Sequence, residues 1–227
     1  MVRIRILSLL GLYSEKAANV DIQEVMEGIG GEARRTIHLA ESFMDMVEAE
    51  SGVYRYALTF AGAAVLDAVD ATWASASARG VTITPRLGAA DCTISADASL
   101  LTRAFVNLLN NAIRYSESGS SIHVCLEAND EPGKVGGEVL ISIRDEGAGM
   151  NAGQVAGLMD SGLRRKWNST PSARDAGHGW GIGMTIVHAV VAHHGGWIDV
   201  MSAPAAGTTF VIGLPMATDD VQPDDDG

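Results

Sequence analysis

The sequence has little positive charge and lacks long apolar runs. Its 227 residues hold 16 Lys and Arg against 28 Asp and Glu, a formal net charge of −12. Binding of nucleic acid or of an anionic membrane by the whole surface is therefore disfavoured. We find no signal peptide and no uncharged apolar run near the roughly 18 residues that a membrane span needs. We expect the chain to be cytoplasmic and to make no membrane contact of its own. The cytoplasmic part of a membrane sensor would also fit this expectation.

Cysteine is also scarce. Cys92 and Cys125 are the only two, and both lie in alternating apolar surroundings typical of strands. We expect buried thiols in a reducing compartment rather than a disulfide. The hydrophobic content of 47% is sufficient to bury a sizeable core in one or two domains.

The first fifty residues have the pattern of two helices. Apolar residues recur at i, i+3, i+4 and i+7 from Ile6 to Ala17, and again from a capping Asp21 to about Glu50. Each helix alone would leave an apolar face in water, so the pair is expected to form a hairpin and, with a second copy, a dimeric four-helix bundle. Residues 1–52 are thus predicted to be a dimerisation and phosphotransfer-like hairpin.

From residue 53 to residue 216 the pattern predicts a second, α+β domain, and 217–227 an acidic disordered tail. The predicted strands are 54–59, 81–86, 93–95, 122–128, 138–144, 197–202 and 208–214, and the predicted helices are 61–79, 100–115 and 183–194. The segment 151–177 is polar and has no clear period. Long connections of this kind are usually lids or disordered.

The sequence Asp145-Glu146-Gly147-Ala148-Gly149-Met150 directly follows an alternating strand. A buried carboxylate at that point can accept a hydrogen bond from an exocyclic amine such as that of adenine, and glycines let backbone approach a ligand. An aspartate that only caps a loop is the alternative interpretation of this short motif.

A second motif lies on the helix 100–115. Asn107, Asn111 and Arg114 share one face at i, i+4 and i+7. A carboxamide oxygen suits Mg²⁺ and a guanidinium suits phosphate, although a solvated polar face is the simpler alternative.

Two glycine motifs follow. The run from Gly177 to Gly183 precedes a helix and would expose N–H groups to an anion, unless it is only a hinge. Gly207-Thr208-Thr209 enters the last strand, where a hydroxyl could reach the site through water; alone, it is no more than a hairpin turn.

Together, in this order, the four motifs resemble the N, G1, G2 and G3 boxes of the GHKL superfamily. The amino-acid sequence around them resembles that of sensor histidine kinases. The resemblance implies a helical hairpin followed by an α/β sandwich with a mixed sheet backed by helices, which holds ATP and Mg²⁺ under a lid. It also implies homodimerisation through the hairpin and phosphotransfer to a response-regulator receiver domain.

The resemblance also implies a role for each matching residue. Asn111 would coordinate Mg²⁺, and Asn107 and Arg114 would lie at the phosphates. Tyr115 would pack near the adenine, whose amine would bind Asp145. The remaining cofactor-binding residues would be Gly147 and Gly149, making room for the base, Gly179, Gly181 and Gly183 in the phosphate loop, and Thr209 near waters beside the adenine.

The sequence departs from the family in its acceptor histidine, because His38 is the first histidine and lies on the second helix of the predicted hairpin. We expect the acceptor to lie upstream of this chain. The lid also lacks the usual Phe-rich segment. A degenerate phosphotransfer or docking scaffold without ATP turnover, and a serine kinase of the anti-sigma type, are the alternatives.

Overall fold

The computed structural model describes residues 53–89, 91–129, 137–164 and 182–217, together with scattered positions between 26 and 49. The chain divides into two compact units, residues 1–47 and 48–227. All described positions of the first unit are helical, in agreement with the second predicted helix. The first predicted helix, the capping Asp21 and His38 lie outside the described residues, as does almost all of the predicted tail.

The second unit is built on a mixed five-stranded sheet with the strand order β2-β4-β5-β7-β6. Strand β2 runs parallel to β4, and the other neighbours are antiparallel. The five strands are β2 (Thr82–Leu87), β4 (Ser121–Asn129), β5 (Glu138–Asp145), β6 (Trp197–Ser202) and β7 (Thr208–Pro215). Two further strands, β1 (Ala57–Phe60) and β3 (Thr93–Ala96), form a small antiparallel sheet of their own.

Helices cover one face of the large sheet. They are α1 (Ala61–Ala78), α2 (Ala98–Tyr115), α3 (Ala152–Arg164) and α4 (Ile182–His193). Helix α2 packs against both α1 and α4. Alternate residues of β5, namely Val139, Ile141 and Ile143, are buried beneath the helices, because successive side chains of a strand point to opposite faces. The predicted α+β sandwich, with a mixed sheet backed by helices, is confirmed.

The start of α2 is held by a buried aspartate. Asp97 Oδ1 accepts the Leu100 N–H at 3.2 Å, which satisfies one of the free N–H groups of the first turn. Its Oδ2 accepts the Arg55 N–H at 2.9 Å. The Asp97 N–H donates to His194 Nε2 at 3.0 Å, so the aspartate joins the start of α2 to the residues that follow α4.

The structure corrects the sequence prediction in the segment 151–177, where α3 occupies residues that lacked a clear period. Its start is a reciprocal capping box: Asn151 Oδ1 accepts the Gln154 N–H at 3.0 Å, and Gln154 Oε1 accepts the Asn151 N–H at 2.9 Å. Strand β1 also begins three residues later than predicted, at Ala57. Cys92 and Cys125 are half-buried rather than fully buried, and no disulfide joins them.

Among the described residues, no helix combines the length and the apolar character that crossing a membrane requires.

Candidate functional site

The site is built around the carboxylate of Asp145, the last residue of β5, which is 5% exposed. Its Oδ1 accepts the N–H of Gly147 at 2.8 Å and the N–H of Thr208 at 3.2 Å. Burial raises the pKa of Asp145 above its ordinary value, and hydrogen bonds from the backbone of Gly147, Thr208 and Asp145 itself oppose that rise. Since the Gly147 and Thr208 donors both bind Oδ1, Oδ2 is the oxygen available to a donor from a ligand.

Thr208 lies beside this carboxylate, and Thr209 does not. The pairing of β5 with β7 places Thr208 opposite Asp145 and Thr209 opposite Arg144. Neighbouring residues of a strand point to opposite faces, and Thr208 is 7% exposed while Arg144 is exposed. The structure therefore places Thr208, and not Thr209, beside Asp145, while a role of either threonine toward water beside the adenine stays a prediction.

The loop after Asp145 is tied to the turn between β6 and β7. The Ala205 N–H donates to the Ala148 carbonyl at 2.7 Å. Ser202 Oγ accepts the Met150 N–H at 2.8 Å and lies 2.8 Å from the Gly207 carbonyl oxygen and 3.0 Å from Thr208 Oγ1. Sequence reasoning missed Ser202, because a serine at the end of a strand has no local signal of such a role.

Two glycines allow these segments to cross. Gly149 and Gly207 have φ of 65° and 75°, a region that side chains with a Cβ rarely adopt. An added Cβ would overlap the Ala203 carbonyl oxygen at Gly149 and the Asp145 carbonyl oxygen at Gly207.

A third glycine, Gly147, is constrained by contact alone, because an added Cβ would overlap the Tyr115 carbonyl oxygen. The sequence prediction explained Gly147 and Gly149 by room for a base. In the structure the protein's own backbone already fills the space beside both glycines, and their role toward a base stays a prediction.

The polar face of α2 reaches the beginning of α4. Asn107 Nδ2 donates to the Arg103 carbonyl at 3.0 Å. Asn107 Oδ1 lies 2.9 Å from the position that a Cβ of Gly183 would occupy. The carboxamide of Asn107 therefore contacts the last glycine of the predicted phosphate loop. Gly179 and Gly181 lie outside the described residues.

The rest of this face runs from Asn107 towards the Asp145 loop. Asn111 is half-buried and Arg114 is exposed, with its guanidinium 5.9 Å from the centre of the Tyr115 ring. Since the Tyr115 carbonyl lies against Gly147, the helix spans about 12 Å between the two loops. The structure thus brings a buried acceptor, two carboxamides, a guanidinium and a helix N-terminus to one side of the domain. Such a surface can bind an amine-bearing ring at one end and an anion at the other.

Comparison with solved structures shows the class to which this fold belongs. The Acinetobacter baumannii histidine kinase AdeS superposes with a TM-score of 0.67 at 18% identity, over 96% of each chain. Full-length ShkA in complex with AMPPNP superposes with a TM-score of 0.66 at 20% identity, over 95% of this chain and 44% of that one. The fold is that of the catalytic domains of histidine kinases.

Sequence comparison gives the family. Residues 96–218 match the histidine kinase-, DNA gyrase B- and HSP90-like ATPases, and the chain belongs to that family. It is 32% identical over 142 residues to the sensor histidine kinase ZraS of Klebsiella oxytoca, a match that covers 62% of this chain and 27% of ZraS. The chain thus spans about a quarter of the length of this curated relative. The resemblance to sensor histidine kinases is confirmed.

Proposed function

We propose that this chain is the ATP-binding core of a two-component sensor histidine kinase, which transfers the γ-phosphate of ATP to a histidine for relay to a response-regulator receiver domain. The observation that carries the proposal is the Asp145 carboxylate, oriented by the N–H groups of Gly147 and Thr208 with one oxygen left for a ligand. Two further findings support it: the contact of Asn107 with Gly183, and the AMPPNP bound in the similar ShkA. Because ATP is the donor, we place this reaction in the cytoplasm.

In this proposal the adenine binds at the Asp145 end of α2. Asp145 accepts a hydrogen bond from the exocyclic amine, Thr208 lies beside it, and Tyr115 packs near the base. The two groups are complementary, because an ionised carboxylate is only a hydrogen-bond acceptor and the amine is a donor.

The phosphates lie towards the start of α4. Asn107 is beside them and Arg114 contacts them, and the family resemblance assigns Gly179, Gly181 and Gly183 to a loop whose backbone N–H groups would bind them. Asn111 offers a carboxamide oxygen to Mg²⁺, a hard ion that prefers such ligands. When bound, Mg²⁺ supplies neutralisation of phosphate charge.

Catalysis by these residues is positioning and charge stabilisation. Phosphoryl transfer needs the acceptor in line with the leaving oxygen and its charge neutralised, and it requires little covalent chemistry from the protein. The residues of α2 hold the γ-phosphate in place, while the nucleophile is the imidazole of the acceptor histidine.

Paired substitutions on α2 test the nucleotide site. Asn111→Ala should abolish Mg²⁺-dependent ATP binding, measured by isothermal titration calorimetry. Asn110→Ala is the matched control, because it removes the same side chain about 100° further round the helix. Unchanged Mg²⁺-dependent binding in Asn111→Ala would contradict the proposal.

Phosphotransfer is tested with γ-labelled MgATP, followed by an acid-lability test of any label on the protein. Acid-labile label would show an acceptor histidine within residues 1–227, with His38 the first to replace. ATP binding without label would agree with an acceptor supplied from outside these residues, and transfer should then appear when that segment is added. Absence of nucleotide binding would favour the docking scaffold instead.

We also propose that the helical first unit dimerises. Met26 and Met44 are 65% and 66% exposed, although both belong to the apolar stripe of the predicted second helix. A second copy would cover this stripe in a four-helix bundle. Light scattering should give the mass of two chains, and a monomer at micromolar concentration would contradict this assembly.

A further inference from the structure

Ser202 has a hydrogen-bonding arrangement that determines the direction of every bond to its hydroxyl. A hydroxyl carries one proton and two acceptor lone pairs. The Gly207 carbonyl oxygen, 2.8 Å from Ser202 Oγ, can only accept, so the Ser202 proton points to it. The Met150 N–H, 2.8 Å away, can only donate. The remaining neighbour, Thr208 Oγ1 at 3.0 Å, must therefore donate its proton to Ser202.

This assignment has a consequence for the neighbouring threonine. The single proton of the Thr208 hydroxyl is committed to Ser202, so Thr208 Oγ1 offers only lone pairs to any other partner. Thr208 also donates its N–H to Asp145 Oδ1. The two side chains beside the proposed base position, Asp145 and Thr208, are then both acceptors.

We propose that Ser202 is a positioning residue that sets the nucleobase selectivity of this site. It does so in two ways: it holds the Thr208 hydroxyl as an acceptor, and it anchors the loop after Asp145 through the Met150 N–H. This inference rests on the proposed ATP binding.

Base selectivity follows from the polarity of the two acceptors. Adenine presents an amine donor at the position where guanine presents a carbonyl acceptor. A site with two acceptors binds the amine and leaves the guanine oxygen facing lone pairs, and such mismatched buried polar groups are costly. If Thr208 were released from Ser202, its hydroxyl could rotate and donate to the guanine oxygen.

The test uses Ser202→Ala in the full chain and measures dissociation constants for MgATP and MgGTP. Removing one net hydrogen bond should weaken ATP binding about tenfold, with GTP binding unchanged or improved. The ratio of the GTP constant to the ATP constant should therefore fall about tenfold or more. Ser202→Thr restores the hydroxyl and should restore most of the ratio.

Two other variants complete the set. Ser95→Ala is the matched control, because Ser95 is an exposed strand serine on β3, and its ratio should equal that of the wild type. Thr208→Val removes the hydroxyl but keeps the N–H and the branched shape. It should reproduce the fall in selectivity, and it tests the idea even if Ser202→Ala does not fold.

The outcomes separate this inference from the proposed function. A wild-type chain that binds neither nucleotide refutes both. If the wild type binds ATP but Ser202→Ala and Thr208→Val keep its ratio, only the role of Ser202 is refuted. An equal loss of ATP and GTP affinity also refutes it, because a merely structural role would weaken both nucleotides alike.

Discussion

Asp145→Asn exchanges one side-chain oxygen for an NH₂ group and keeps the shape of the side chain. The amide oxygen can still accept the N–H groups of Gly147 and Thr208, which bind Oδ1 at 2.8 and 3.2 Å. The NH₂ group then takes the place of Oδ2. In the proposed complex this NH₂ group would face the exocyclic amine of adenine. Two hydrogen-bond donors would then lie against each other, where the wild type has an amine donor and a carboxylate acceptor.

The expected loss of affinity can be estimated. A hydrogen bond to a charged group contributes about 1.5–3 kcal/mol. Its loss should raise the dissociation constant for ATP roughly 10- to 100-fold. The free energy of unfolding should change in the opposite direction. Burial raises the pKa of Asp145 above its ordinary value of 3.8, so ionising this carboxyl costs more free energy in the folded chain than in the unfolded chain.

The sign of the pH dependence follows. With a raised pKa, the contribution of Asp145 to stability is fully present below pH 3.8 and is lost as the pH rises through the folded-state pKa. Asp145→Asn removes this loss. The variant should therefore be as stable as the wild type or more stable at pH 7, and the difference should disappear below about pH 3.8.

The assay combines calorimetric titration with MgATP and urea unfolding without nucleotide, both at pH 7. Asp70→Asn, which neutralises an exposed carboxylate on α1, is the control and should leave both quantities unchanged. Wild-type affinity for ATP in Asp145→Asn would refute the role given to this carboxylate. A drop in stability that matched the loss of affinity would refute the reasoning about its burial.

Two further predictions concern the fold. Gly207→Ala should lower the free energy of unfolding by several kcal/mol more than Gly119→Ala, which should cost about 1–2 kcal/mol. Both glycines have positive φ, but an added Cβ meets the Asp145 backbone at Gly207 and nothing within 4 Å at Gly119; equal losses in urea unfolding would contradict this. Burial lowers the pKa of His188 and His194 below 6.5. The free energy of unfolding should therefore be at its maximum above pH 6.5. Below that pH it should fall by up to about 1.4 kcal/mol per pH unit for each histidine. Unfolding at pH 7.5 and 5.5 measures this loss, and a His188→Gln, His194→Gln double variant that loses as much would contradict it.

Much of the fold could be predicted from local pattern. The strands of the large sheet and helices α1, α2 and α4 follow from their hydrophobic periods, and the capping role of Asp97 from its place before an apolar helix. Helix α3 was missed because its period is weak. Its capping box, Asn151 with Gln154, is a local signal that could have revealed it.

What the sequence determined by itself is the set of elements that have a clear hydrophobic period, because hydrophobic period, caps and glycine runs act over a few neighbouring residues. Only the tertiary structure decided that Thr208 rather than Thr209 lies beside Asp145, and that Ser202 holds both the threonine and the loop. Both choices depend on strand register: the first on the pairing of β5 with β7, where Asp145 lies opposite Thr208, 63 positions away, and the second on the pairing of β6 with β7, where Ser202 lies opposite Thr208. A shift of one residue there would turn every side chain to the other face, so no local pattern could have revealed them.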